Sequence, residues 1–101
     1  MEKQYKTFSE FYPYYLGEHS KTSTKIFHFI GTGLVVFSLL YVLFTQTWSA
    51  VWIVPLCGYG FAWIGHFFFE KNRPATFTYP LFSLMGDFAM FKDLLTGKIK
   101  F

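Results

Sequence analysis

Two long uncharged apolar runs constrain this chain more than any other feature. Residues 26–44 (IFHFIGTGLVVFSLLYVLF) contain 19 residues without Lys, Arg, Asp or Glu, and residues 50–69 (AVWIVPLCGYGFAWIGHFFF) contain 20. As a helix rising 1.5 Å per residue, each run spans roughly 30 Å, the thickness of the hydrocarbon core of a bilayer. Only residues 45–49 (TQTWS) separate the two runs. The pattern predicts an antiparallel transmembrane hairpin.

The composition points the same way. Of 101 residues, 52% are hydrophobic and 15% are charged, whereas soluble domains carry about 25% charged residues. The single cysteine, Cys57, excludes a disulfide scaffold or a Cys-rich metal cluster. The net charge of +3 without a basic patch argues against nucleic acid as a partner. We therefore expect one all-α membrane domain over residues 1–101, with the lipid bilayer as its surroundings.

Two further segments complete the predicted helical bundle. Residues 77–91 are short for a membrane span and contain Pro80, Gly86 and Asp87, so we expect a re-entrant or interfacial helix packed against the hairpin. A third crossing is the alternative. Near the N-terminus, six residues at helical spacing lie on one mainly aromatic face and predict an amphipathic helix at the membrane interface: Phe8, Phe11, Tyr12, Tyr15, Leu16 and His19.

Local patterns predict how the hairpin begins and how it packs. Residues 20–24 (SKTST) offer several side chains that can cap the first span. Gly58, Ala62 and Gly65 form a stripe of small residues on the second span, which is typical of a helix-packing face. Gly31 on the first span is placed to meet that stripe.

The distribution of basic residues predicts the orientation in the membrane. All nine Lys and Arg lie outside the two runs, and the connecting loop contains none. Basic loops are retained on the cytoplasmic side. If residues 77–91 do not cross, both ends of the hairpin face the cytoplasm. The expected location is a bacterial inner membrane or the endoplasmic reticulum membrane, as an integral multi-pass protein.

The histidines occupy related positions in the predicted hairpin. His28 and His66 each lie nineteen residues from Thr47, the centre of the loop, which sets them at the same depth in an antiparallel pair. His19 ends the aromatic face of the N-terminal helix at about the same level. All three histidines of the chain can therefore converge at the cytoplasmic end of the bundle.

Two carboxylates are expected near these histidines. Glu70 follows His66 by four residues and would share its helical face, while Asp87 must return to the same end of the bundle. Histidine and carboxylate with open positions form a ligand set that suits non-haem Fe(II). The alternative is that each interfacial histidine only hydrogen-bonds to a headgroup or a carbonyl.

Several segments also resemble a known family. They are residues 11–19 (FYPYYLGEH), 24–32 (TKIFHFIGT), 58–77 (GYGFAWIGHFFFEKNRPATF) and 80–90 (PLFSLMGDFAM). They are similar to the signatures of the family of the fungal 2-hydroxy fatty acid dioxygenase of phytosphingosine breakdown, which has many bacterial members of unknown function. The match covers about residues 11–93.

The resemblance implies an Fe(II)-dependent multi-pass membrane enzyme. Such an enzyme would use O2 to shorten a 2-hydroxy fatty acid by one carbon, a fatty acid α-oxidation within sphingolipid metabolism. The implied iron ligands are His19, His28 and His66. The implied further ligands or catalytic partners of the iron are Glu70 and Asp87. The candidates for binding the substrate are Arg73, Lys25 and Asn72.

Two other classes of function stay open at this point. His28 and His66 at one depth could ligate a b-type haem, which would make the chain an electron carrier. Alternatively, the chain is a non-catalytic membrane subunit whose histidines only anchor helices. Assembly into a homo-oligomer is also left open.

Overall fold

A computed structural model describes residues 5–101, and over that range the chain is helical, with no strand. Four α-helices follow one another: α1 (Phe8–Gly17), α2 (Thr22–Thr45), α3 (Ile53–Ile64) and α4 (Pro80–Leu95). A π-helix, Gly65–Glu70, continues α3 without a break. Short 3-10 turns, Trp48–Ala50 and Ala75–Phe77, precede α3 and α4.

Helices α2 and α3 form the hairpin. Thr22–Thr45 has 24 residues with a mean hydropathy of 2.1, and Trp48–Glu70 has 23 residues with a mean hydropathy of 1.4. Both are long and apolar enough to cross a membrane. Only 22% and 17% of their most apolar windows are buried inside the chain. Most of the apolar surface of the hairpin therefore faces outward.

Small residues let the two helices of the hairpin approach closely. A Cβ atom added at Gly31 would lie 2.8 Å from the Cβ of Phe61. A Cβ at Gly58 would lie 3.0 Å from a methyl of Val35, and one at Gly65 would lie 3.2 Å from the methyl of Thr24. The stripe of small residues on α3 is thus the packing face of the hairpin.

Replacing Gly31 with alanine should destabilise the hairpin. The new methyl would overlap the Cβ of Phe61, and overpacking of this kind typically costs about 1–3 kcal/mol. Gly60→Ala on α3 is the matched control, because a Cβ there meets nothing within 4 Å and alanine favours helix by up to ~1 kcal/mol. Thermal melting in detergent should show a lower midpoint for Gly31→Ala only. Equal midpoints would show that this contact does not limit packing.

Helix α1 begins with a capped turn. The hydroxyl of Thr7 accepts a hydrogen bond from the backbone N–H of Glu10, at 3.3 Å, and donates to the Glu10 carboxylate. Threonine at the cap with glutamate three residues later is a common start of a helix. The helix continues through Pro13 and ends at Gly17.

The aromatic face predicted for α1 is present, but it packs on protein. Phe11 and Tyr15 are buried in a cluster completed by residues from α4 and the turn before it, namely Ala75, Tyr79, Met90 and Leu94. A Cβ at Gly86 would lie 2.8 Å from the ring of Tyr15, so α1 and α4 approach closely there. Helix α4 covers the face that we expected at the membrane interface.

Helix α4 has 16 residues and starts with Pro80 at its first turn, where proline is tolerated. It packs against α1 and α2. The hydroxyl of Tyr12 donates to Asp93 at 2.7 Å, which ties α1 to the C-terminal half of α4. In the described residues, only the two helices of the hairpin have the length and hydropathy of a membrane span.

Candidate metal centre

The three histidines meet at one end of the hairpin, as their spacing about the loop predicts. His19 lies between α1 and α2, His28 lies in the second turn of α2, and His66 lies in the π-helix. One ring nitrogen from each imidazole lies within 4.8 Å of the other two. The three side chains are 1%, 4% and 2% exposed. Burial on this scale shields a polar cluster from solvent.

Two of the imidazoles are held through their Nδ1 atoms. Nδ1 of His19 lies 2.6 Å from the backbone carbonyl of Tyr15, and Nδ1 of His28 lies 3.4 Å from the carboxylate of Asp87. Carbonyl and carboxylate oxygens only accept hydrogen bonds. The proton of each neutral imidazole therefore belongs on Nδ1.

The third imidazole is held by an amide. Nδ1 of His66 lies 2.7 Å from Oδ1 of Asn72, whose amide nitrogen donates to the carbonyl of Glu18 at 3.1 Å. Because the amide N–H group is used on Glu18, the amide oxygen faces His66 as an acceptor. His66 thus also carries its proton on Nδ1, which leaves its Nε2 lone pair for the cluster.

This arrangement brings unprotonated nitrogens together. Nε2 of His19 lies 3.0 Å from Nε2 of His28, and with both protons on Nδ1 the contact joins two acceptors. Two lone pairs at this distance repel, and a cation or a shared proton between them relieves the repulsion. Histidines that ligate metals characteristically donate their other ring N–H to a carboxylate or a carbonyl. The donor set therefore fits a metal ion.

Tyr15 supports the cluster from three directions. Its carbonyl accepts from His19, its ring stacks on the His19 ring with centroids 4.1 Å apart, and its hydroxyl donates to Asp87. Burial and the Asp87 carboxylate raise the pKa of the Tyr15 hydroxyl well above its usual value. The hydroxyl stays protonated, so it orients Asp87 toward His28.

Burial also fixes the charge of His19. Loss of solvent contact, followed by the neighbouring His28 and His66, lowers the pKa of His19 well below its usual 6.5. The imidazole is therefore neutral at pH 7, which is the form that ligates metals.

A small cavity of about 10 Å³ lies at the cluster. That volume suits about one water-sized occupant. The hydroxyl of Ser83, on the wall of this cavity, is buried and has no hydrogen-bond partner within the described part of the chain. The remaining walls come from α1, α3, α4 and the loop before α4, through Tyr15, Tyr59, Ala62, Trp63, Pro74, Ala75, Thr76 and Asp87 together with the three histidines.

Glu70 lies at the start of α2 rather than on the imidazoles. Its carboxylate accepts from the backbone N–H of Lys21 at 2.5 Å and from the hydroxyl of Ser20 at 3.3 Å. We expected a side chain from residues 20–24 to cap α2, and none does so. The Glu70 carboxylate instead accepts a hydrogen bond from the backbone N–H of Lys21, the residue at the N-cap of the helix. It thereby fixes the link between α1 and α2, which carries His19.

The three candidates for substrate binding fall in different places. Asn72 touches His66, as described above. Lys25 donates to the carbonyl of Lys100 at 3.0 Å. Arg73 is exposed, with its guanidinium 4.8 Å from the ring centroid of Phe77. The structure brings Asp87 and Asn72 to the histidines, and it leaves Lys25 and Arg73 with other contacts.

Sequence reasoning missed two residues of the site. Tyr15 was expected only as part of an apolar face, and Ser83 was not considered. Tyr15 lies four residues before His19, so one helical turn brings its backbone carbonyl close to the His19 imidazole. This spacing can be read from the sequence. Ser83 precedes Asp87 by four residues and shares its face of α4.

Together, the buried triad of imidazoles and the long apolar hairpin define a class: a small all-helical protein with a site that can hold a metal ion between its helices. Residues 5–99 match the model of the family described as 2-hydroxy-palmitic acid dioxygenase Mpo1-like. The chain belongs to this family, which confirms the resemblance seen in the sequence. No curated protein and no solved structure matches the chain.

Proposed function

We propose that the protein is an Fe(II)-dependent dioxygenase that shortens 2-hydroxy fatty acids by one carbon. The observation that carries the proposal is the set of three buried imidazoles, each with its Nδ1 facing an oxygen, and with Nε2 of His19 3.0 Å from Nε2 of His28. The family description, which names a dioxygenase of a 2-hydroxy fatty acid, supplies the reaction.

Three neutral imidazoles suit Fe(II) because they leave other coordination positions open. His19, His28 and His66 would hold the ion. Iron bound there would supply the redox chemistry through which O2 reacts with an organic acid. A 2-hydroxy acid offers a carboxylate and an adjacent hydroxyl, a pair of oxygens that suits chelation of a cation.

The overall reaction balances without a further reductant. A 2-hydroxy acid and O2 give a carboxylic acid one carbon shorter, CO2 and water. The bond between the carboxyl carbon and the hydroxyl-bearing carbon breaks, and that second carbon is oxidised to the new carboxyl group. O2 accepts the four electrons.

The chain's own residues would orient the site. Asp87 would hold the Nδ1 proton of His28, and the Tyr15 hydroxyl would hold Asp87 in turn. Asn72 would do the same for His66, and Glu70 would fix the segment that carries His19. We therefore assign Asp87, Glu70 and Asn72 as positioning residues. Arg73 and Lys25 remain candidates for binding the carboxylate of the substrate as it enters the site.

We also propose that the hairpin crosses a membrane, with the metal centre at its cytoplasmic end. The apolar length of both helices and their exposed aromatic surface support this, and Phe37 and Phe44 are 77% and 83% exposed. An interfacial site suits a substrate with a polar head and an acyl chain. The distribution of lysines supports the proposed orientation.

A haem between His28 and His66 is the weaker alternative. The two ring centroids lie 5.3 Å apart with other side chains packed around them. A macrocycle with its iron between the two rings would have to displace those side chains. The third imidazole, His19, also lies against both rings.

Metal binding should weaken as the pH falls. Because the pKa of His19 is below 6.5, its neutral form persists under mildly acidic conditions, and protonation at lower pH then competes with the metal. We expect the apparent affinity for Fe(II) to change little between pH 8 and 7 and to fall steeply well below pH 6.5. Anaerobic titration at several pH values measures this. An affinity that stays constant at every pH at which the fold persists would contradict ligation by imidazoles.

Ser83→Ala should weaken substrate binding. A buried hydroxyl on the cavity wall can donate to an oxygen of the acid, and a hydrogen bond to a charged group contributes about 1.5–3 kcal/mol, or roughly ten- to 100-fold in KM. Thr24→Val is the matched control, since the Thr24 hydroxyl is also buried without a partner in the described residues but lines neither cavity at the site. Equal KM values for the two variants would show that Ser83 does not bind the substrate.

The test of the function is turnover by detergent-purified protein loaded anaerobically with Fe(II). We expect 2-hydroxy fatty acid and O2 to be consumed in equal amounts, with a product one carbon shorter. Fatty acid without the 2-hydroxyl is the substrate control and should not react. An iron-loaded protein that consumes no O2 with a range of 2-hydroxy acids would contradict the proposal.

A further inference from the structure

A second cavity, of about 60 Å³, lies next to the one at the histidines. Its walls come from three helices and are mainly apolar, with Thr32 and Val35 from α2, Gly58 and Tyr59 from α3, and Leu84, Asp87 and Phe88 from α4. Asp87 and Tyr59 line both cavities. The side chains of Asp87 and Tyr59 therefore form a wall that the two cavities share.

The second cavity extends away from the metal centre along the hairpin. Thr32 and Val35 follow His28 by four and seven residues, which is about 6 and 10 Å along a helix. On α3, Tyr59 and Gly58 precede His66 by a similar number of residues. The cavity thus runs toward the middle of the apolar hairpin, while the polar groups stay at the end with the imidazoles.

The cavity also reaches the outer surface. Tyr59, Leu84 and Phe88 are 41%, 48% and 42% exposed, and all three line it. Gly58 and Val35 are in close contact at the floor of the cavity, because a Cβ at Gly58 would lie 3.0 Å from a methyl of Val35. The space is a slot between α2, α3 and α4 with a polar inner end and an apolar side opening.

We infer that this slot binds the first methylenes of the substrate's acyl chain, with the carboxylate and the 2-hydroxyl at the histidines and the rest of the chain leaving through the apolar side opening. The inference rests on the proposed function for the identity of the head group. The polarity of the two cavities matches the polarity of a 2-hydroxy fatty acid from one end to the other.

The test is photo-crosslinking in purified protein loaded with Fe(II), and in parallel without metal. The probe is a 2-hydroxy fatty acid with a diazirine on one of the first methylenes of its chain, and mass spectrometry locates the adducts. We expect adducts on the peptides that carry Val35, Leu84 and Phe88, and at least tenfold suppression by excess unlabelled 2-hydroxy acid. Adducts spread evenly over the exposed apolar surface, adducts elsewhere, or none would overturn the inference.

A matched pair of variants sharpens the test. Val35→Phe fills the slot, whereas Val36→Phe makes the same change at the next residue of α2, which does not line it. Val35→Phe should reduce crosslinking by at least fivefold and Val36→Phe should not. Both variants should retain iron. Equal crosslinking in the two variants would contradict the assignment.

This design separates the slot from the reaction. Adducts in the slot of a protein that turns over no 2-hydroxy acid would support the acyl-chain site and refute the proposed function. Turnover with adducts outside the slot would support the function and overturn the site.

Discussion

Replacing His28 with alanine should remove metal binding and activity together. His28 contacts both His19 and His66, so its loss leaves only two imidazoles at the site. Changes to the partners of metal ligands typically cost ten- to 100-fold in affinity, and we expect loss of a ligand to cost at least about 100-fold. Iron retained after desalting, together with O2 consumption, measures the effect.

The fold of the variant must be checked separately, because His28 is buried. Helical circular dichroism and elution as a single species in detergent serve as controls, and His28→Gln repeats the test with a side chain of similar reach. We expect the same loss for His19→Ala and His66→Ala. A well-folded variant at any of these positions that keeps full iron and full activity would refute a centre shared by all three histidines.

Asp87→Asn should weaken the metal site while leaving the fold in place. An amide can turn its N–H group toward Nδ1 of His28, which would move the imidazole proton to Nε2 and block the ligating nitrogen. The same loss of the correct tautomer costs serine proteases about 10⁴ in kcat when the aspartate of their triad becomes asparagine. For Asp87→Asn we expect a ten- to 100-fold loss of Fe(II) affinity, measured by anaerobic titration.

The chain contains a matched control for this variant. Asp93 also lies on α4 and also accepts a hydrogen bond from a tyrosine of α1, Tyr12, at 2.7 Å. Asp93→Asn changes the docking of α1 on α4 without touching an imidazole. The thermal midpoints of both variants should fall by a similar amount, but only Asp87→Asn should lower the affinity for the metal. Equal affinities would mean that Asp87 acts only in helix packing.

Much of the centre could be predicted because it follows from regular periodicities. Equal distances from the loop bring His28 and His66 to one level in any antiparallel hairpin, and helical spacing from the buried face of α1 leads to His19, just after that helix. The small residues on α3 gave its packing face for the same reason. These relations need only the repeat of a helix.

Glu70 shows where such reasoning stops. Its position four residues after His66 implies a shared face only in an α-helix, whereas Gly65–Glu70 is a π-helix with a longer hydrogen-bond repeat. The carboxylate therefore reaches Lys21, and Asn72 takes the place next to His66. Nothing in the residue pattern marks that change of repeat.

The partners of the imidazoles depend on contacts between distant segments. Tyr15 and Asp87 are separated by 72 residues, and their hydrogen bond requires the docking of α1 on α4 at Gly86. A periodicity along one helix does not give the register between two helices. Sequence reasoning accordingly predicted the aromatic face of α1 but not that α4 packs on it.

The most direct test of the central claim is the iron content and the optical spectrum of the full chain, purified in detergent under anaerobic conditions and desalted after addition of Fe(II). A mononuclear centre of three imidazoles predicts about one iron per chain and no Soret band. A Soret band would identify a haem protein. Failure to retain iron after reconstitution, with the fold intact, would contradict the metal centre itself.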